Sequence, residues 1–225
     1  MRMTAPLRNA IFVVLLALFG LIAGLGGYYA GGRSDAIDDA RPLVRLADKL
    51  IAKGEGGDGL GAGREALLLA VEDPTFADHT GLDLDRPAPG TTLVRSLAKR
   101  VGFDPFEPGI ARIRQLGYAS GLEKELSKPR LVALWLETVE MGPGPKGWMR
   151  GFYTASKSIY GRSPDKLKDD EFLRLVAVAT APDAIPLEGS EPALEARLAR
   201  IRHLLSGECR RLGEQDAQLA QCTRS

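Results

Sequence analysis

The sequence predicts a mostly α-helical protein with one N-terminal transmembrane helix. Three observations predict it. Residues 9–32 carry no charge. Beyond them, apolar residues recur at i, i+3, i+4 and i+7, the period of a helix with one buried face. No stretch sustains the two-residue alternation of a half-buried strand.

The uncharged run comes first. As a helix at about 1.5 Å per residue it reaches about 36 Å, enough for a hydrocarbon core of about 30 Å. Arg2 and Arg8 precede it, and the first acid is Asp35. The positive-inside rule then leaves residues 1–8 as a cytoplasmic tail and exports the remainder. The competing reading is a cleaved signal peptide with a poor small-residue site at Gly24-Leu25-Gly26. Gly20 and Gly24 also fit a small-xxx-small helix contact, although glycine is ordinary in membrane helices.

Composition excludes several classes for the exported part. The chain has 225 residues, 44% hydrophobic and 26% charged, so it can bury a core. A formal net charge of +1 argues against a general nucleic-acid binder. Two Cys and two His exclude a zinc-finger or disulfide-dense scaffold, and no metal ligand set is predicted. Cys209 and Cys222 are both exported, where an oxidising compartment permits a disulfide. Two free thiols remain the alternative, because spacing does not give their distance.

Three further segments follow the anchor at 9–32. Residues 33–63 read as a stalk and a Gly-rich linker. Leu43, Leu46, Leu50 and Ile51 lie at helical spacing in the stalk, and Gly54–Gly63 supplies the flexible part. Residues 64–206 read as the folded domain and 207–225 as a C-terminal tail. Within the domain an apolar helix covers Arg64–Val71. Val132, Trp135, Leu136 and Val139 form one stripe, and Leu173, Val176, Ala177 and Thr180 another. Gly142–Gly147 is predicted to be a loop, since its prolines and glycines break either regular pattern. Ala193–Leu205 reads as an Arg-rich amphipathic helix. Trp148, Met149, Arg150, Phe152 and Tyr153 read as core, with a membrane-interface or sugar-stacking patch as the alternatives.

The segment that carries chemistry begins where the first apolar helix ends, at Glu72-Asp73-Pro-Thr-Phe76-Ala-Asp-His79-Thr-Gly81. A carboxylate at the rim of a core is partly desolvated. That favours its protonated form and suits it to act as a general base. This segment resembles motif one of the family 51 glycosyltransferases, the peptidoglycan polymerases, written E-D-x-x-F-x-x-H-x-G. All five named positions match.

The resemblance continues in order. Gly90-Thr91-Thr92-Leu-Val-Arg95-Ser96-Leu-Ala98-Lys99 is similar to G-[SA]-T-I-[TS]-Q-Q-x-A-K. Ser127-Lys128 followed by Leu131 and Trp135-Leu136-Glu137 is similar to S-K-x-x-I-L-x-x-Y-L-N. Gly151–Gly161 is similar to G-I-E-A-A-A-x-x-Y-F-G, and Leu167–Pro182 resembles the helix that follows it. The match runs from about Ala66 to Leu205.

The resemblance implies a lysozyme-like helical domain on the outer face of the bacterial inner membrane, in the periplasm. It implies the lipid-linked disaccharide-pentapeptide as substrate and Glu72 as the base. Asp73, Phe76, His79, Thr91, Thr92, Lys99 and Arg112 are carried over as substrate-binding positions. Lys99 is the first candidate for the departing diphosphate; Arg95, Arg100 and Arg112 are looser ones. No cofactor is implied, and divalent-cation stimulation stays open. The membrane and other cell-wall synthesis proteins are candidate partners; no nucleic acid is.

Three departures bear on catalysis. The family's third motif carries a second essential Glu, and counting back from Ser127-Lys128 places it at Gln115. Glu107, Glu123 and Glu125 are the acids near enough to substitute if the register slips. The stretch between motifs one and two is short, Leu82–Pro89. Arg95-Ser96 and Glu137 replace the family's Gln pair and Asn. These departures support an alternative in which the chain binds precursor or a synthase as a regulator. A lysozyme-like hydrolase using Glu72 is the third reading.

Overall fold

The computed structural model describes residues 5–78, 93–103, 109–179 and 192–211, with positions 182, 185, 187, 219 and 222. His79, Thr91, Thr92, Asp104, Glu107 and the stretch between the first two motifs lie outside the described residues.

Helix α1 (Ala5–Ala52) is a single helix of 48 residues. At 1.5 Å per residue it is about 72 Å long, more than twice a bilayer core. Its N-terminal part has an 18-residue window of mean hydropathy 2.5, long and apolar enough to cross a membrane. Phe12, Val13, Phe19 and Ile22 are exposed there, as a lipid-facing helix requires.

The C-terminal part of α1 does not stand free as a stalk. It packs on α4 (Ala111–Glu125) and α5 (Lys128–Thr138). Its buried positions are Gly32, Ala36, Ala40, Ala47 and Leu50, a seam repeating every three or four residues. Leu46 and Ile51, two members of the expected stripe, face water. The seam is made of small residues because the two backbones nearly touch. A Cβ on Gly117 would stand 2.0 Å from the Tyr29 carbonyl oxygen, and one on Gly121 would stand 2.6 Å from the Ala36 Cβ. Asp35 pairs with Arg114 at 2.7 Å, Asp39 accepts the Tyr118 hydroxyl at 2.7 Å, and Asp48 takes Arg130 at 2.7 Å.

The Gly-rich segment expected as a flexible linker is ordered around a short 3-10 turn, Asp58–Leu60. Leu60 is fully buried, and the Tyr153 hydroxyl donates to the Gly56 carbonyl at 2.7 Å. α2 (Arg64–Glu72) follows. Its first residue ties it to the far end of the chain. The Arg64 guanidinium donates to the Leu167 carbonyl at 2.6 Å and to Asp169 at 2.9 Å, and lies 5.0 Å over the Phe172 ring.

α5 is the central helix. Leu131–Leu136 are all buried, because α1, α3 (Leu93–Gly102) and α6 (Phe152–Tyr160) cover it on different sides. α7 (Asp169–Ala179) packs on α8 (Pro192–Leu205).

The segment expected as a loop at Gly142–Gly147 forms the tip of a hairpin, with only Pro145 and Lys146 outside its strands. β1 (Glu140–Gly144) pairs antiparallel with β2 (Gly147–Arg150), Glu140 opposite Arg150 and Pro143 opposite Trp148. Met141 is an extra residue in the register, and it turns inward. Prolines fit a two-stranded ribbon because both strands are edges and need few ladder hydrogen bonds.

Cys209 and Cys222 are joined as a disulfide. Leu219 and Cys222 are buried in the core, so the bridge holds the C-terminal segment against the domain.

Candidate active site

The site is assembled where the end of α2 meets the start of α3. Glu72 is the last residue of α2 and is half-buried. Asp73 follows as the residue that ends the helix and is 4% exposed. Its carboxylate accepts the backbone N–H of Leu93 at 2.9 Å. Leu93 opens α3, so the bond satisfies one of the amides that a helix N-terminus leaves without a partner. Phe76 is buried, with the Lys128 ammonium 4.4 Å from its ring centroid.

α3 has its core on one side, at Leu93, Val94, Leu97 and Ala98. Its polar residues fall on two flanks. Ser96 and Arg100 share one flank because they are four apart. The Trp135 indole donates to the Ser96 hydroxyl at 2.9 Å, and that hydroxyl donates to the Leu93 carbonyl at 2.9 Å. Ser96, which stands where the family motif has Gln, thus holds the indole of Trp135 on α5.

Arg100 donates to the Thr138 hydroxyl at 3.2 Å and lies 5.7 Å over the Trp135 ring. Its Nη2 is buried and makes no hydrogen bond among the described residues. Burial pushes the guanidinium down to about 10. Glu140 opposes the shift, Arg150 adds to it, and Glu72 opposes it. Those causes place Glu72, Glu140 and Arg150 within electrostatic reach of one guanidinium.

Arg95 and Lys99 occupy the other flank. Gln115 is 7% exposed on α4, and its amide donates to the Arg95 carbonyl at 3.0 Å. Burial lowers the Arg95 guanidinium from its ordinary value, and the nearby charge of Arg112 lowers it further. Lys99 and Arg112 are exposed. Gln115, the position that motif counting matches to the family's second acid, thus sets a neutral amide against the α3 backbone.

Of the other acids considered for that role, Glu107 lies outside the described residues, and Glu123 and Glu125 stand at the C-terminal end of α4. The Glu123 side chain is 2% exposed and paired with Lys128 at 2.8 Å. Glu125 is exposed at the end of α4.

Sequence reasoning ranked Arg100 low, placed Arg150 only in a group read first as core, and did not pick out Thr138 or Glu140. Adjacency to Lys99 was the available signal for Arg100. The other three join the site only through the hairpin and the end of α5. Among the described residues no group of three or more His, Cys, Asp or Glu is placed to hold a metal ion. A separate open cleft of about 470 Å³ is lined by Lys53, Glu55, Tyr153, Lys157 and Asp165 among others, and no predicted site residue lines it.

The family model described as transglycosylase matches residues 90–205, from motif two to the end of α8. Glu72 precedes the matched stretch. The biosynthetic peptidoglycan transglycosylase of Azoarcus sp. (strain BH72) is 26% identical over 184 residues, 76% of each chain. That of Shewanella oneidensis is 28% identical over 163 residues, 67% of this chain and 66% of the relative. Penicillin-binding protein 1B of Buchnera aphidicola (subsp. Acyrthosiphon pisum) is 26% identical over 125 residues, 49% of this chain but only 16% of that much longer protein. With more than half of its length matched by one family model, and the motif residues gathered around α3, this chain belongs to the transglycosylase family.

Proposed function

We propose that the protein is a membrane-anchored peptidoglycan glycosyltransferase that polymerises lipid-linked disaccharide-pentapeptide into glycan. Glu72 takes the proton from the acceptor sugar 4-hydroxyl. The oxygen attacks the anomeric carbon of the growing chain, and the lipid diphosphate leaves with inversion. A sugar hydroxyl is a poor nucleophile until a positioned carboxylate accepts its proton, so the base must be ionised and held still. The observation that carries the reading is the setting of Glu72. It ends a helix at the rim of the core, with the Arg100 charge nearby and with α3 fastened to the next residue, Asp73.

Arg95, Lys99 and Arg112 supply the positive charge that a departing diphosphate requires. In this reading Asp73 acts by positioning α3 rather than by touching substrate. Phe76 supports Lys128 in the same way. His79, Thr91 and Thr92 keep their proposed substrate-binding roles from the motif match. The N-terminal part of α1 is the single-pass anchor. The basic tail lies in the cytoplasm and the domain on the outer face of the inner membrane.

Gln115 favours a second reading. An amide keeps the shape of a carboxylate but carries no negative charge and exchanges no proton. If the second acid is required, the chain binds precursor without turnover.

The deciding experiment is polymerisation of the lipid-linked disaccharide-pentapeptide by the full-length protein in detergent, beside Glu72→Gln and Gln115→Glu. Polymer that disappears in Glu72→Gln supports the enzyme. Precursor binding without polymer sinks it, and polymer gained in Gln115→Glu then identifies the lesion.

A further inference from the structure

The hairpin presents one aromatic ring to water beside the proposed catalytic residues. The sequence reading grouped Trp148 with a core. The structure separates it from that group: Met149, Phe152 and Tyr153 are buried, whereas Trp148 is 53% exposed. Strand alternation is the reason. Met149 points inward, so Trp148 and Arg150 share the outer face of β2.

That ring is held in place from its polar edge. The indole N–H donates to the Glu140 carboxylate on the paired strand. The other oxygen of Glu140 faces Arg150 at 3.8 Å. Glu140 and Arg150 are also two of the three charges that act on Arg100, and the third is Glu72. Arg100 also bonds Thr138, two residues before β1 begins, and the start of its helix is tied to Asp73, the residue after Glu72, so α3 links the base of the hairpin to the end of α2. An exposed tryptophan has a large apolar face, and fixing its edge leaves that face free at little entropic cost.

We infer that Trp148 is a stacking platform for a pyranose ring of the substrate, flanked by Glu140 and Arg150 as partners for its hydroxyls. The inference rests on the glycosyltransferase reading and adds a subsite on the hairpin side of Glu72. A pyranose has an apolar face of ring hydrogens and a rim of hydroxyls, and the hairpin offers the complement of each. Basic neighbours such as Arg150 and Lys146 are common beside an interfacial tryptophan, but an acid is not. Glu140 holds the indole edge, which suits the hydroxyl rim of a sugar rather than an anionic headgroup.

The chain has only two tryptophans, and Trp135 is 2% exposed, so a water-facing indole signal reports Trp148. The full-length protein in detergent is titrated with a soluble N-acetylglucosamine tetramer while tryptophan emission is read. A saturable change in wild type that is lost in Trp148→Phe is expected. In the polymerisation assay Trp148→Ala should raise KM about tenfold with kcat within about twofold, and Trp148→Phe should recover most of the loss. An unchanged melting temperature in both variants excludes misfolding.

No tetramer-dependent change in wild type overturns the platform. So does a change produced by phosphatidylglycerol vesicles and not by the tetramer, which would make the ring a bilayer contact. Polymer from Trp148→Ala at unchanged KM overturns the platform and leaves the polymerase standing. Tetramer binding through Trp148 without polymer from wild type leaves the platform and overturns the polymerase.

Discussion

The Asp73 carboxylate accepts the Leu93 amide across twenty residues of chain, at 2.9 Å in a buried setting. That bond fastens the start of α3 to the residue after Glu72. The position of Arg100 relative to Glu72 therefore depends on it.

Replacing Asp73 by Ala leaves a buried amide without its acceptor, at a cost of about 1–3 kcal/mol. Polymerisation should fall further than stability does, because the Arg100 side of α3 loses its register against Glu72. Asp73→Asn retains an acceptor oxygen and should keep most of the melting temperature. Thermal unfolding and initial polymerisation rates of the two variants check this. Equal losses in both would count against a positioning role.

The α1–α4 seam predicts an inverted sign for glycine substitution. Gly→Ala within an exposed helix normally gains about 0.5–1 kcal/mol. Gly117→Ala and Gly121→Ala should instead lose about 1–3 kcal/mol, because the new methyl meets backbone or another methyl that cannot yield. Chemical denaturation in detergent gives the sign directly.

The disulfide should support the C-terminal segment. Cys209 and Cys222 are 13 residues apart, and a loop of that order is worth about 3 kcal/mol. Reductant, or a Cys209→Ser, Cys222→Ser pair, should lower the melting temperature and expose the segment holding Leu219 to protease. A melting curve indifferent to reductant would show that the core contacts of Leu219 suffice.

Glu65 gives a pH-dependent prediction. Burial, and then the charge of Asp58, raise its carboxyl above the ordinary value of 4.5. A raised carboxyl holds its proton more tightly in the folded state. Its contribution is complete below the unfolded value and is lost as pH rises through the folded one. At neutral pH the ionised group is a cost. Glu65→Gln should therefore stabilise at pH 7 by less than about 1 kcal/mol, since the group is partly in water and screened. The gain should vanish near pH 4. Melting temperatures of both proteins across that range provide the comparison.

Parts of the fold were legible because their signals are local. The apolar stripe of Val132, Trp135 and Leu136 marks α5, and the acids Asp169, Asp170 and Glu171 crowd the first turn of α7, as the helix dipole favours. The hairpin was not legible. Its strands contain Pro143 and three glycines, Gly142, Gly144 and Gly147, so the one alternation that matters, Trp148 out and Met149 in, is too short to register. The α1 seam was missed because Gly32, Ala36, Ala40 and Ala47 add little hydrophobicity. They contribute closeness, which only a facing helix reveals.

By itself the sequence determined the apolar N-terminal helix, the helical class and the motif that singles out Glu72. Each follows from charge, period or residue order along a short stretch. Only the tertiary structure decided that α1 continues into the domain and that Gln115 spends its amide on the Arg95 carbonyl. It also decided that Arg100 stands within reach of Glu72, Glu140 and Arg150 together. These relations join residues twenty to more than eighty positions apart. They exist only because α1 and α3 pack on α4 and α5 while the Asp73 bond ties the end of α2 to α3, and burial then makes each unpaired charge or amide costly enough to fix its partner.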